Sequence, residues 1–294
     1  MRKHDVVIGV IIGACVLFVF AVLLLAFLGT FASRPLTLSS LGKRVALVEI
    51  KGVIGGSESV VRQLKRYAED ESVPAIVLRI DSPGGEASAS QEIYEQVQKV
   101  RQEGKKVVAS MGAVAASGGY YVACAADSIV ANPASLTGSI GVQMQFPNTE
   151  QLFKKIGIDF LVVKSGPHKD IGSPYRPMTK EEKRLLQEVI DDTYDQFVEV
   201  IVEQRDLSRE KVLTLADGRI FSGRQAQELG LVDEMGSYQD AISMAAQMGG
   251  IKGKPRIIRE RLKRIGPFDF LFQLLGRFRS SVPQHPVLEY MLSP

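Results

Sequence analysis

From Val6 to Phe31 the chain runs for 26 residues without a charged side chain, bounded by Arg2, Lys3 and Asp5 before it and Arg34 after it. As a helix, at about 1.5 Å per residue, such a run spans roughly 39 Å, more than the ~30 Å hydrocarbon core of a bilayer. A cleaved leader carries a shorter apolar core of about 7–15 residues. The run therefore predicts one membrane-spanning anchor over 6–31 and divides everything else around it. Arg2 and Lys3 place residues 1–5 in the cytoplasm by the positive-inside tendency, against the weight of Arg34, Lys43 and Arg44. The body then lies on the extracytoplasmic side of the cell membrane.

Residues 32–43, rich in Ser, Pro and Gly, read as a linker. Beyond it, strand and helix patterns alternate. Apolar runs at 44–50, 75–80, 106–111, 128–132 and 159–165 read as strands. Residues 57–70 and 88–103 have helical spacing, with Val60, Val61, Leu64 and Tyr67 on one face of the first. This order predicts an α/β fold with a largely parallel sheet. Thr179 with Glu182, and Ser222 with Gln225, carry the capping-box spacing that opens a helix to about Arg205 and a short helix ending at Gly230. The body is expected over 44–250 and a separate basic and apolar tail over 251–294. That tail could meet lipid, pack on the body, or enter a peptide groove in place of a substrate.

Several classes of function are excluded early. A net charge of +3 over 294 residues gives no footprint for nucleic acid. The two cysteines, Cys15 and Cys124, form no disulfide framework. No His-Glu-x-x-His or paired-cysteine pattern suggests a metal, and no phosphate-binding Gly-x-x-x-x-Gly-Lys loop suggests a nucleotide, so no cofactor is expected.

Two stretches carry candidate chemistry. In "IDSPGGEAS" (80–88), Pro83, Gly84 and Gly85 form either a plain tight turn or a loop of bare amides able to hold an oxyanion. In "VAASGGYYVACAAD" (114–127), Ser117 precedes two glycines, poor helix formers, where a helix is about to begin. Either the chain packs tightly there or something must approach the Ser117 backbone. A hydroxyl nucleophile needs a base. Of the three histidines, only His168 lies in the body away from the termini, with Asp170 as an acid partner for a triad. Lys169 is the other candidate. A free lysine amine, with an ordinary pKa near 10.4, is protonated at neutral pH; lowering it by about three units costs about 4 kcal/mol, which burial in an apolar pocket supplies. Spacing alone leaves both bases open.

Taken in order, "RIDSPGGEASAS", "SMGAVAASGGYYVACAAD", "ANPASLTGSIGV", "VVKSGPHKDIGSPYRPMT" and "ADGRIFSGRQAQELGLVDE" resemble the bacterial signal peptide peptidase A family in its short, single-catalytic-domain form. The likeness runs from about Arg44 to Met248, and residues 142–150 resemble the family less than their flanks do. It implies a Clp-protease/crotonase fold, a repeated β-β-α superhelix with a helical C-terminal part. It also implies a Ser–Lys dyad, with Ser117 as nucleophile and Lys169 as general base. By the same resemblance Gly84 and Gly85, with the Ser117 amide, form the oxyanion hole, and Ser139 orients the lysine. Hydrophobic remnant signal peptides are the implied substrates, and a homo-oligomeric ring or dome the implied assembly. Two rivals use the same residues otherwise: a crotonase-like acyl-thioester enzyme, and a non-catalytic membrane scaffold.

Overall fold

The computed structural model describes residues 17–18, 42–260 and 288–291. The expected cytoplasmic tail and most of the 6–31 anchor and 32–43 linker lie outside the described residues. Among the described residues, no helix is long and apolar enough to cross a membrane. A compact unit begins at Lys43, one residue before the expected start of the body.

The elements in chain order are β1 (Arg44–Lys51), α1 (Glu58–Glu69), β2 (Ala75–Ser82), β3 (Gly84–Glu86), α2 (Ala87–Gln102), β4 (Lys106–Ala116), α3 (Gly118–Ala123) and β5 (Ser128–Ala131). They continue with β6 (Leu136–Gly138), α4 (Glu150–Lys155), α5 (Lys180–Arg205), α6 (Arg209–Leu215), β7 (Ile220–Ser222), α7 (Gly223–Glu228), β8 (Glu234–Met235), α8 (Tyr238–Met248), β9 (Arg256–Arg259) and β10 (Glu289–Met291). Among the described residues the main sheet has eight strands in the order β7-β6-β4-β2-β1-β9, with β5 beside β4 and β8 beside β5. Every pair is parallel except β6 with β7.

The central strands are apolar almost without interruption because both sheet faces are covered. Ala46, Val48, Ile50, Ile76, Leu78 and Ile80 point to the larger core, which also takes Val60, Leu64 and Tyr67 of α1 and Ile93 and Val97 of α2. Val45, Leu47, Ala75, Val77 and Val108 point the other way, to Ala241, Ile242, Ala245 and Ala246 of α8. The result is a mixed α/β fold of helix, sheet and helix layers.

One irregularity positions the site. The β2–β4 register shifts between Ile80↔Met111 and Ser82↔Ala115, so β4 carries two extra residues there. The bulge is pinned from β2, where the Asp81 Oδ1 accepts the Val114 amide at 3.1 Å. Gly112 lies so close that a Cβ would stand 2.7 Å from the Asp81 carboxyl. Beyond this bend β4 leaves β5 and pairs instead with β6, through Val114, Ala115 and Ala116. The strand thus ends where Ser117 begins, clear of the sheet plane.

Two expectations change. The run at 159–165 forms no strand: Leu161 and Val163 are 94% and 93% exposed, and no neighbouring strand pairs with them. Within the run, Phe160 is in ring contact with Phe153 and Tyr175, and Lys164 donates to the Asp170 carboxylate. An apolar, β-branched run states a preference for a sheet, and no strand among the described residues pairs with it at that place. The 251–294 segment is also not wholly separate, since β9 extends the main sheet beside β1 and β10 pairs antiparallel with β3.

Candidate active site

Ser117 joins β4 to α3 with φ 52° and ψ −118°, a conformation L-residues seldom adopt and one that costs about 1–3 kcal/mol. The surroundings hold it there: its amide donates to the Gly138 carbonyl at 2.8 Å and its carbonyl accepts from the Tyr121 amide at 2.8 Å. The side chain is 1% exposed, and its hydroxyl has no hydrogen-bond partner among the described residues. A buried hydroxyl without a partner is destabilising by itself, so this serine is shaped for something other than stability.

The two glycines behind it serve different ends. On Gly119 a Cβ would lie 3.0 Å from the Ser82 carbonyl oxygen and 3.4 Å from Ile80, so that glycine lets α3 pack tightly on β2. On Gly118 a Cβ would lie 3.1 Å from the carbonyl oxygen of Tyr290. Here another stretch of backbone does come close.

The loop after β2 faces the same point. Gly84 has φ 101°, and a Cβ on it would stand 1.9 Å from the Tyr290 oxygen and 2.7 Å from the Gly118 nitrogen. Gly85 is pressed against Ile54 on the opposite side. Strand β3 therefore lies between Ile54 and β10, whose register is Glu289↔Glu86, Tyr290↔Gly85 and Met291↔Gly84. The far edge of β10 is taken by Gln143, which exchanges two backbone hydrogen bonds of 3.1 Å with Glu289. Between β3 and Gln143 is thus a groove one strand wide, and residues 288–291 fill it.

Not every expected amide is at liberty in this groove. The Gly84 amide donates to the Ser82 Oγ at 3.1 Å, and the Ser117 amide is engaged by Gly138. The Gly118 amide, in the first turn of α3, has no acceptor within its own helix. Ser139 follows the glycine that holds Ser117; it is 7% exposed and also has a positive φ, 50°.

Lys169 is exposed and lies on a turn within 166–172, and its amine is not on the Ser117 hydroxyl, which has no partner among the described residues. The loop itself is firmly held. Arg176 donates to the Asp170 carboxylate through Nε (2.9 Å) and Nη2 (2.8 Å), and reaches the Glu182 carboxylate through Nη1 (2.9 Å). Glu182 in turn accepts the Thr179 amide in the capping box of α5. Hydrogen bonds from Arg176 and then Lys164 hold Asp170 far below the usual carboxylate range. The Arg176 hydrogen bond and the Thr179 amide bring Glu182 down to about 2. Asp170 is therefore occupied by two cations, which removes the carboxylate a His168 triad would use. Cys124 is buried beside α3, and burial pushes its thiol up to about 12, so it is inert.

The sequence reading gave a peptide groove as one of three places for the tail, but it identified neither a strand at 289–291 nor the glycines it would meet. The alternation of Leu288 and Tyr290 in "PVLEYM" was the available signal, but four residues give a weak one. Among the described residues, no cluster of His, Cys, Asp or Glu could hold a metal ion.

A partnerless serine hydroxyl at a strained strand-to-helix turn, next to a groove filled by an extended segment, is the arrangement a serine hydrolase would need. Comparison with known proteins gives the class its family. The model of "Peptidase family S49" matches residues 99–252, and that of "Clp protease" matches residues 53–137. The chain is 46% identical over 214 residues to a Synechocystis sp. protein named as a candidate protease, covering 72% of this chain and 77% of that one. It is 37% identical to Protease 4 of Haemophilus influenzae, over 70% of this chain and 35% of that one. It is 34% identical to the chloroplastic serine protease SPPA of Arabidopsis thaliana, over 77% of this chain and 33% of that one. The chain thus spans about a third of the length of those last two relatives. It belongs to peptidase family S49 and is a serine peptidase.

Proposed function

We propose that this chain is a membrane-anchored endopeptidase that cuts hydrophobic remnant signal peptides, with Ser117 as nucleophile and Lys169 as general base. The observation that carries the reading is the buried, unpartnered Ser117 hydroxyl beside a strand-wide groove. An extended substrate would add to β3 as β10 does, its main chain giving affinity and its alternate side chains giving specificity. The Ser117 oxygen attacks the carbonyl carbon as its proton passes to the Lys169 amine. The Gly118 amide, with Gly85 opposite, would receive the oxyanion in place of the Gly84 and Ser117 amides expected from the motif. Collapse releases the amine of the downstream peptide, which takes the proton from Lys169. Water, deprotonated by the same amine, then hydrolyses the acyl ester.

The Lys169 amine does not bond the Ser117 hydroxyl here, and a neighbouring copy is the source this reading gives for it. Leu152, Ile156, Leu161 and Val163 flank its loop and are 57%, 58%, 94% and 93% exposed, an apolar strip of the kind covered in assemblies. Packing of that strip against a neighbouring copy, in a ring or dome, would bury Lys169 and deliver it to the neighbour's Ser117. The order β2-β3-α2 followed by β4-α3 fits the β-β-α superhelix of such compartment-forming peptidases. Ser139, adjacent to the Ser117 clamp, would then orient the amine.

The test is cleavage of a hydrophobic reporter peptide by the detergent-solubilised full chain. Ser117→Ala and Lys169→Ala should each abolish cutting and leave the assembly intact, and activity should rise along one ionisation toward alkaline pH. A flat profile from about pH 6 to 9, or activity that survives Lys169→Ala but not His168→Ala, would overturn the dyad.

A further inference from the structure

The base proposed for Ser117 is followed in the chain by an acid. Asp170 comes directly after Lys169, and a free carboxylate beside a lysine amine favours the charged amine, the form that cannot accept a proton. The fold removes this conflict by binding both oxygens of the acid. Its Oδ2 accepts from the Arg176 Nε at 2.9 Å, and its Oδ1 accepts from the Arg176 Nη2 at 2.8 Å and the Lys164 Nζ at 2.5 Å. The Arg176 Nη2 also donates to the Asp170 backbone carbonyl at 3.2 Å, so one guanidinium fixes both main chain and side chain of the residue after the base. On its other side Arg176 bonds the Glu182 carboxylate at the start of α5, a side chain only 3% exposed. Two cations and two carboxylates leave this cluster neutral. Lys169 stays exposed and takes no part in it.

We infer that Arg176, assisted by Lys164, is a positioning residue for the general base: it binds the Asp170 carboxylate so that the acid next to Lys169 neither pairs with the amine nor retains its proton. The inference rests on the Ser117–Lys169 reading and adds the group that keeps the base competent. A guanidinium suits the task, because its fork takes both carboxylate oxygens at once and stays charged at every working pH. The other charged groups on or against the loop are otherwise engaged. His168 stands near Glu181 of α5, which Arg184 binds. On α4, which meets the loop through Phe153 and Tyr175, Glu150 pairs with Lys154, and Lys155 follows. Without Arg176 the cluster holds Lys164 against Asp170 and Glu182, one negative charge in excess beside the amine. An ordinary aspartate is ionised well below neutrality, so that charge acts over the whole working range.

The experiment measures kcat for the hydrophobic reporter peptide from about pH 6 to 10, using the detergent-solubilised full chain. Arg176→Gln should move the midpoint of the alkaline rise upward by about 0.5–1 pH unit, a roughly three- to tenfold loss below the midpoint, with the high-pH plateau kept. Adding Asp170→Asn removes the excess charge while the clamp stays broken, and should return the midpoint to its native position. Arg176→Lys keeps the charge without the fork and should shift the midpoint less than Arg176→Gln. If Arg176 only stiffens the loop, Arg176→Gln will lower the plateau, leave the midpoint in place and gain nothing from Asp170→Asn. That pattern, or a native profile for Arg176→Gln, overturns the inference. Should Arg176→Gln fail to fold or assemble, Lys164→Met carries the test: a smaller upward shift that Asp170→Asn abolishes is expected, and a fixed midpoint overturns the inference. Full activity in Lys169→Ala would sink the dyad reading and this inference with it, whereas a Lys169-dependent enzyme whose midpoint ignores Arg176 would sink the inference alone.

Discussion

Replacing Ser117, the proposed nucleophile, should make the protein more stable as it becomes inactive. The Ser117 hydroxyl is buried with no partner among the described residues, and a buried unsatisfied polar group of this kind costs about 1–3 kcal/mol. Ser117→Ala removes that group and almost nothing else. The positive φ is equally unfavourable for alanine, so the backbone strain cancels in the comparison. The expected gain is about 1–2 kcal/mol, which for a body of this size raises Tm by about 2–8 °C. If Lys169 of a neighbouring copy bonds the hydroxyl in the assembled protein, the mutation also loses that hydrogen bond, about 1 kcal/mol, and the gain shrinks. Lys169→Ala should restore it, and the difference between the two backgrounds measures the coupling. The assay is thermal and urea unfolding of the four chains of this cycle. Unchanged or lowered stability for Ser117→Ala in both backgrounds would refute the view of Ser117 as a residue held at a cost for function.

Three further outcomes follow from the same geometry. Gly84→Ala puts a methyl group 1.9 Å from the Tyr290 oxygen at φ 101°, so the groove must open and its donors shift; kcat should fall by about 10²–10³, and activity within twofold of native would contradict this. Glu182 has its carboxyl lowered from 4.5 to about 2, chiefly by Arg176, so the stability from this pair is complete above about pH 4.5 and lost as pH falls toward 2. The deficit of Arg176→Gln in urea midpoint should therefore shrink between those values, and a deficit independent of pH would count against the clamp. Cys124, with its thiol pushed up to about 12 by burial, should resist alkylation at pH 8 in a Cys15→Ser background until the chain unfolds. Labelling within seconds in native conditions would show the thiol to be accessible.

Much of the fold can be read from local pattern. The runs that form β1, β2, β4 and β5 are apolar on both faces, and the helices at 58–69, 87–102 and 180–205 carry amphipathic spacing or a capping box. These signals lie within a few residues of one another, so no distant contact is needed to produce them. Ser117 and the glycines behind it also stand out, because poor helix formers at a helix start require an explanation. The run at 159–165 shows the limit of such reading. Its apolar, β-branched run is a real preference for pairing, yet pairing needs an edge that sequence cannot supply.

By itself, then, the sequence determined the alternation of strands and helices, the uncharged run at 6–31 and the chemistry-bearing motifs, because each is written in side chains close together along the chain. Only the tertiary structure decided which amides at the serine are already engaged, and that Asp170 is held by Arg176 and Lys164 and so is not free for His168. It alone brought Tyr290, far along the chain, to lie beside Gly84 and Gly118. Those are matters of which backbone meets which across long stretches of chain, and loop closure leaves no local trace of its result.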